Sequence, residues 1–369
     1  MKIALITTTI NYPELLVEYA KDVKKFNKEK KNEIIFIIAG DKKTPSKTIN
    51  LCSVIEKRYA IKTLYLSVLD QNKYLKNYKY LKKYLKWNSV QRRNVAILKA
   101  LELKSDYIIT IDDDNYLYDK NFIYNHINTL EKKRGKVIVS KEKWFNVCLL
   151  LKERKKQIFY HRGFPVSKRK VNSNYKIINK KNLKVVVNAG LWIGDPDVDA
   201  VTRLSNPVES TDYKFRTSLI LDLNLWSPFN SQNTAFSSVI APCYFLSSDV
   251  GRMDDIYASY VTLRILKHFN YYVSYGRPLV KQNRNNHNIW RDLDLERIHH
   301  ENLENFLLIL DKTKLSKGAN TIFLATKELI SKLKMHHKKL KKQNQKIEIS
   351  KFLNSYTVWL KTLKQTELF

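Results

Sequence analysis

Three adjacent carboxylates, Asp112-Asp113-Asp114, close the apolar run DYIITI (106–111). Charges this close repel one another, and a strand end tolerates them when a cation compensates. Aspartates at the first and third positions of such a turn can offer oxygens to one hard divalent ion. That ion keeps open positions for phosphate oxygens. The expectation is therefore that Asp112 and Asp114 hold Mn²⁺ or Mg²⁺ against a nucleoside diphosphate, with Asp113 on its sugar or ribose side. A solvated acidic turn and a phosphatase-type Asp-x-Asp compete with this reading. A calcium loop of the EF-hand type does not, because no Gly stands at its sixth position and no Glu at its twelfth.

Asp254-Asp255 open a helical pattern, where the helix dipole and free backbone N–H groups stabilise carboxylates. One of them could cap the helix, or act as the general base that activates an acceptor hydroxyl. The stretch Asn188–Asp199 gathers glycines, a tryptophan, a proline and Asp195, Asp197 and Asp199. That composition predicts a loop shaping a sugar pocket, although Asp-Pro is also ordinary turn chemistry. Arg92, with Arg93 beside it, precedes the aspartates on a helical segment, where a guanidinium could grip a diphosphate in two-pronged fashion.

The elements that must position these residues read as alternating strands and helices. KIALITT (2–8) is a buried strand, Pro13 to Phe26 carries helical spacing, and EIIFIIAGD (33–41) is a second buried strand. TLYLSV (63–68) is a short strand, Asn88–Leu103 a helix, and DYIITI a further strand. This alternation predicts an α/β, doubly wound, mainly parallel sheet of Rossmann-like type, with ligands beyond the strands' carboxyl ends. Thr8 and Asp41 would then border a base and ribose. From about 155 to 215 the pattern breaks into short punctuated segments. A helix is expected over Asp254–Phe269 and a strand over 271–276. From 298 the chain is helical and basic, so residues 1–297 are expected to form the catalytic domain and 298–369 a C-terminal helical extension.

Hydrophobic residues make up 44% of the 369, enough for a large core. Lys and Arg exceed Asp and Glu by 67 to 35, a net charge of +32. The excess lysine is scattered rather than clustered with arginines and aromatics, which argues against nucleic acid as the partner. The dense run Lys332–Lys342 predicts peripheral docking on an anionic membrane face or an acidic polymer. Cys52, Cys148 and Cys243 follow no metal-site spacing and suggest a reducing compartment. Without a secretory leader pattern or a run of ~18–20 apolar residues, a cytoplasmic location is expected, at most peripheral on a membrane.

The order IDDDN (111–115), HRGFPVSKR (161–169), AGLWIGDPDVDAVTRL (189–204), NSQNTAF (230–236) and RMDDIYASY (252–260) resembles the reversibly glycosylated polypeptides, or UDP-arabinopyranose mutases. Plant STELLO-type proteins look similar too. The resemblance covers roughly residues 1 to 290. It implies a GT-A-type fold, Mn²⁺ or Mg²⁺ at the aspartates, and a catalytic role for Asp254-Asp255. Arg162 matches the arginine associated with self-glycosylation, with Arg169 as the other candidate. The family's His-Ser-Lys falls near Lys281-Gln282-Asn283 here, so His287 is the candidate to complete metal coordination. The expected activity is glycosyl transfer from a nucleotide-sugar, UDP-linked by resemblance, to a carbohydrate or glycolipid acceptor in surface polysaccharide or glycoconjugate synthesis. Ring interconversion of a UDP-sugar with self-glycosylation, and a non-catalytic scaffold, are the alternatives.

Overall fold

The computed structural model describes residues 1–27, 31–169, 174–284, 288–337 and 343–369. Strand β1 (Lys2–Thr9) leads through α1 (Leu16–Phe26), β2 (Glu33–Gly40) and α2 (Thr48–Tyr59) to β3 (Lys62–Leu66). Helices α3 (Val68–Tyr74) and α4 (Lys79–Tyr84) follow. A 3-10 turn at Val90–Arg92 then runs into α5 (Arg93–Glu102) and β4 (Tyr107–Ile111). After β5 (Asn115–Leu117) come α6 (Phe122–Leu130), β6 (Arg134–Ser140), β7 (Leu151–Glu153), β8 (Tyr175–Lys181) and β9 (Val185–Gly194). The chain continues with α7 (Ala200–Ser205), β10 (Ser210–Tyr213), β11 (Leu219–Leu221), β12 (Asn233–Ser237), α8 (Asp254–Phe269) and β13 (Tyr272–Gln282). Three helices close it: α9 (Ile289–Lys312), α10 (Ile322–His337) and α11 (Gln343–Lys364).

The strands join one sheet in the order β3-β2-β1-β4-β12-β9-β13-β11-β6-β8. The first four are mutually parallel, and β1 and β2 are buried nearly end to end, as their unbroken Ile/Leu/Ala/Phe runs require. The chain steps outward from β1 to β3 and then returns to place β4 on the other side of β1. Right-handed crossovers therefore put α1 and α2 on one face and α5 on the opposite face. The doubly wound α/β sheet with C-terminal helices is present, and strand order reverses between β1 and β4. Beyond β4 the antiparallel β12 bridges to β9, which β13 continues in parallel.

Two expectations are corrected here. Asn188–Gly194 is no loop: it is part of β9, a strand buried along its whole length. Its Gly190 serves close packing, since a Cβ there would come 2.2 Å from the Asn233 amide nitrogen on β12. Asn188, His126 and Asn233 are hydrogen-bonded in series beneath that contact. Only Asp195–Asp199 forms the connection. The helical C-terminal segment begins at Ile289, and α9 runs unbroken through residue 298.

That segment is part of the main core. Trp359 on α11 is fully buried, stacks on Phe245 at 5.1 Å between centroids, and donates its indole N–H to the Ala241 carbonyl at 2.9 Å. Tyr356 donates to the Cys243 carbonyl at 2.9 Å. The basic run is described only as far as His337; there Lys332 pairs with Glu328 and Lys334 donates to Thr357. Cys52, Cys148 and Cys243 are buried and free. No helix among the described residues is long and apolar enough to cross a membrane. Replacing Trp359 by alanine should cost about 3–5 kcal/mol in urea unfolding. A loss below about 1 kcal/mol, the range of a surface change, would detach α11 from the core.

Candidate functional site

The carboxyl ends of β1, β2 and β4 meet where the strand order reverses, the place in an open α/β sheet where ligands bind. A cleft of about 220 Å³ opens there, lined by Thr8, Thr9, Asp41, Ser89, Arg93 and Asp112–Asp114. Thr8 donates to the Ala39 carbonyl at 3.0 Å, tying β1 to β2 at the floor. Asp41 is buried and accepts the backbone N–H groups of Lys42 (2.7 Å), Asn88 (2.8 Å) and Ser89 (3.1 Å). It therefore pins the 88–89 segment as the cleft's rim. Thr9 and Asn11 both donate to Asp113 Oδ2, at 2.5 and 3.1 Å. Burial still pushes the Asp113 carboxyl above the ordinary aspartate range, against those two donors.

Asp112 is held from the opposite side. Its carboxylate pairs with Arg93, a side chain that is only 1% exposed while Asp112 keeps 25%. Arg93 also donates to Ser231 through its carbonyl, at 3.1 Å, and its hydroxyl. The neighbouring Arg92 takes another direction. Its guanidinium carbon sits over the Trp87 ring, 3.7 Å from the centroid, and the group donates to Gln71 Oε1 at 2.8 and 2.5 Å. Gln71 in turn donates to the carbonyls of Gly40 and Leu66, so Arg92 locks the ends of β2 and β3. Burial lowers its pKa to about 10. Arg93 is thus the guanidinium on the cleft wall. The 3-10 turn at Val90–Arg92 sets which of the two faces inward, and residue spacing alone does not reveal that phase.

A second carboxylate pair backs the first. Asp254 and Asp255 sit in the first turn of α8, both buried. Asp254 accepts from the Gln91 amide at 2.8 Å, and Ser89 on the rim donates to the same glutamine's oxygen. Burial, then the neighbouring Asp255, push the Asp254 carboxyl up to about 7. Asp255 accepts from Arg162 at 3.1 and 3.3 Å and from the Ser231 backbone N–H at 3.1 Å. Arg162 also donates to Asp197 at 2.9 Å and to the Arg252 carbonyl. With 7% exposure, it is a buried bridge between two carboxylates rather than a presented nucleophile.

The connection after β9 is held by arginines. Asp197 accepts from Asn230 at 2.8 Å, and against the upward push of burial the charges of Arg162 and His161 keep it well below the usual carboxylate range. Asp195 pairs with Arg203 at 2.6 Å and Arg284 at 3.4 Å. Asp199 caps α7 by accepting from the Thr202 N–H at 2.8 Å and pairs with Arg169. This connection starts close to the aspartates: the Asp195 N–H donates to the Gln282 carbonyl at 3.4 Å, and the next residue, Asn283, donates to the Asp114 carbonyl at 3.2 Å.

His287 lies outside the described residues. Among the described residues no group of three or more His, Cys, Asp or Glu gathers to hold a metal. The donors that Asp112 and Asp114 offer are hard oxygens on one turn, the chemistry that suits Mg²⁺ or Mn²⁺. Arg93 is a competing cation at one of them. Residue typing places Thr9 among the site residues but misses Asn11, Gln91, Asn230 and Ser231 as partners; the polar residues 230–232 just ahead of β12 are the signal that could have revealed the last two.

A parallel α/β sheet with a carboxylate-lined crevice at its switch point has the architecture in which ligands bind outside the strands' carboxyl ends. A family model described as reversibly glycosylated polypeptide matches residues 79–367, and the chain belongs to this family. It is 28% identical over 183 residues to a probable UDP-arabinopyranose mutase 1 of Pisum sativum, covering 48% of this chain and 47% of that protein. It is 27% identical over 184 residues to UDP-arabinopyranose mutase 3 of Arabidopsis thaliana, with the same coverage. The chain spans about half the length of the curated relatives it matches. Among solved structures, S. aureus TarS 1–349 in complex with UDP aligns over 98% of this chain and 90% of that one, at 13% identity and a TM-score of 0.37.

Because Asp254 titrates high, the folded chain keeps a proton that the unfolded chain releases above about pH 4. Its contribution to stability is full below that pH and is lost as pH rises toward 7. Asp254→Asn should flatten this part of the profile when urea midpoints are compared at mildly acidic and mildly alkaline pH. Parallel profiles would place the proton elsewhere.

Proposed function

We propose that this chain is a metal-dependent glycosyltransferase that takes a nucleotide-diphospho-sugar, UDP-linked, into the crevice between β1 and β4. It would pass the sugar to a hydroxyl of a carbohydrate or glycolipid acceptor, in surface polysaccharide or glycoconjugate synthesis. The observation that carries this reading is the pairing of a three-carboxylate turn with a buried arginine on the wall of the switch-point cleft. A pyrophosphate is repelled by bare carboxylates and attracted by a guanidinium, so a site with both suits a diphosphate that arrives with a divalent cation. Asp112 and Asp114 would hold that ion, which would neutralise charge on the departing nucleoside diphosphate. Arg93 would meet the diphosphate, and Thr8 and Asp41 would border base and ribose.

In the transfer, the bond from C1 of the sugar to the phosphate oxygen breaks and a bond from C1 to the acceptor oxygen forms. The acceptor's proton passes to a carboxylate. Asp254 is the base of this scheme, since a carboxyl that titrates near neutrality can take a proton and return it at physiological pH. Gln91 and Ser89 tie it to the rim, and the acceptor hydroxyl would have to reach it directly. Asp195, Asp197 and Asp199, fixed by their arginines, would shape the sugar side. Arg162 would position Asp255 and Asp197.

The names of the curated relatives favour a second reading, interconversion of pyranose and furanose forms of a UDP-sugar. UDP-arabinopyranose supplied without acceptor separates the two: a furanose product would establish the mutase, and its absence together with sugar transfer to an added acceptor would establish the transferase.

A UDP-sugar bound at 100 times its dissociation constant should add about 2.7 kcal/mol of stability. Thermal-shift measurements should show that gain with Mn²⁺ or Mg²⁺ and lose it in Asp112→Asn and Asp114→Asn. No metal-dependent shift with any nucleotide-sugar would overturn the proposal.

A further inference from the structure

Two further hollows, which share no lining residue with the crevice, lie elsewhere on the molecule. Strand β5 carries the chain from Asp114 to Tyr118 in four residues, about 13 Å of extended backbone. A hollow of about 750 Å³ opens there, lined by Tyr118, Asp119, Phe215, Arg216 and Arg277 among others. Tyr118 is 54% exposed. The backbone N–H groups of Tyr118 and Asp119 both donate to the Leu279 carbonyl, which fixes this wall against β13. The two carboxylates of the hollow are already matched, Asp119 with Arg277 and Asp212 with Lys152. Arg216 forms no ion pair with a described carboxylate.

The same segment continues into a second hollow. Thr217 and Ser218 line a groove of about 290 Å³ whose other walls include Lys132, Arg134, Lys136 and Lys181. No carboxylate lines it, and none of these four cations pairs with a described carboxylate. Lys180, also on its wall, is turned to Asp222. Gly135 packs closely on Ile220, where a Cβ would come 2.9 Å from the end of its side chain. Like charges converging without a counterion raise the local potential, and an anion relieves it. Exposed aromatic faces suit sugar rings, and guanidinium forks suit carboxylate or phosphate.

We propose that the two hollows, joined by Phe215–Ser218, form one track that binds an acidic polysaccharide, a glycan carrying carboxylate or phosphate groups. That this polymer is the acceptor rests on the transferase reading above; the binding does not. Lysines on the edge strand β8 also discourage strand pairing, and a +32 chain attracts any polyanion. The test must therefore separate a local track from diffuse charge.

Affinity of the full chain for polygalacturonate, with neutral dextran as the control polymer, measures the track. The triple variant Arg134→Ala, Lys136→Ala, Lys181→Ala should weaken polygalacturonate binding by about 10- to 100-fold, with a shallower salt dependence. Tyr118→Ala should weaken it less, by roughly fivefold, the loss of one ring contact. Removing the same charge from exposed α4, with Lys79→Ala, Lys82→Ala and Lys83→Ala, should leave binding within about twofold, as expected for charges beyond a Debye length. Equal losses in the two triples, equal affinity for dextran, or tighter binding to equimolar phosphatidylglycerol–phosphatidylcholine vesicles than to the polymer would overturn the proposal. UDP affinity, measured on the same variants, should not change. Failure of UDP to bind any of them would sink the donor reading while the two triples still decide the track.

Discussion

One buried guanidinium organises the ligand end of this sheet. Arg93 faces Asp112 on one side and Ser231 on the other, and Ser231 passes the contact to Asp255. Arg162 links Asp255 to Asp197, and Asn230 closes the chain from the segment before β12. Breaking one partner out of such a buried set leaves an uncompensated charge, at a cost of about 3–5 kcal/mol. The network therefore fixes the end of β4, the approach to β12, the connection after β9 and the start of α8 in one arrangement. Of the charges that hold these ends together, Arg93 and Asp112 also line the crevice.

This constraint explains how a strongly basic chain keeps an acidic pocket. The lysines lie mostly on solvated surface, while most of the carboxylates that matter are drawn inward and met by an arginine, a backbone N–H, a hydroxyl or a side-chain amide. Asp113 by Thr9 and Asn11, and Asp41 by Asn88 and Ser89, repeat the pattern on the other wall. Strands β1 and β2 precede the stretch covered by the family model, yet they supply Thr8, Thr9 and Asp41. The crevice is thus built from both parts of the chain.

Much of this was legible in local pattern. The runs that form β1, β2 and β4 are apolar on both faces and end in polar residues, so the strands and the place of the aspartates could be read directly. So could α8, whose acidic first turn and apolar spacing agree. Where geometry depends on residues far apart in sequence, local pattern fails. Gly190 reads as a chain breaker but is small because Asn233, on a strand 43 positions later, crosses it. The choice between Arg92 and Arg93 turns on helical phase, about 100° per residue, and Trp87 with Gln71 captures the one that faces away. The C-terminal helices look like an appendage because their lysines dominate the composition, whereas their buried aromatic face decides where they sit.

Amide hydrogen exchange in the presence of UDP and Mn²⁺ would locate the ligand without presupposing a reaction. The proposed donor site predicts slowed exchange in peptides covering Thr8–Asn11, Asn88–Arg93 and Asp112–Asn115, with little change on the α10 surface. Protection confined to other regions, or none at saturating nucleotide, would contradict the assignment of the β1–β4 crevice as the nucleotide site.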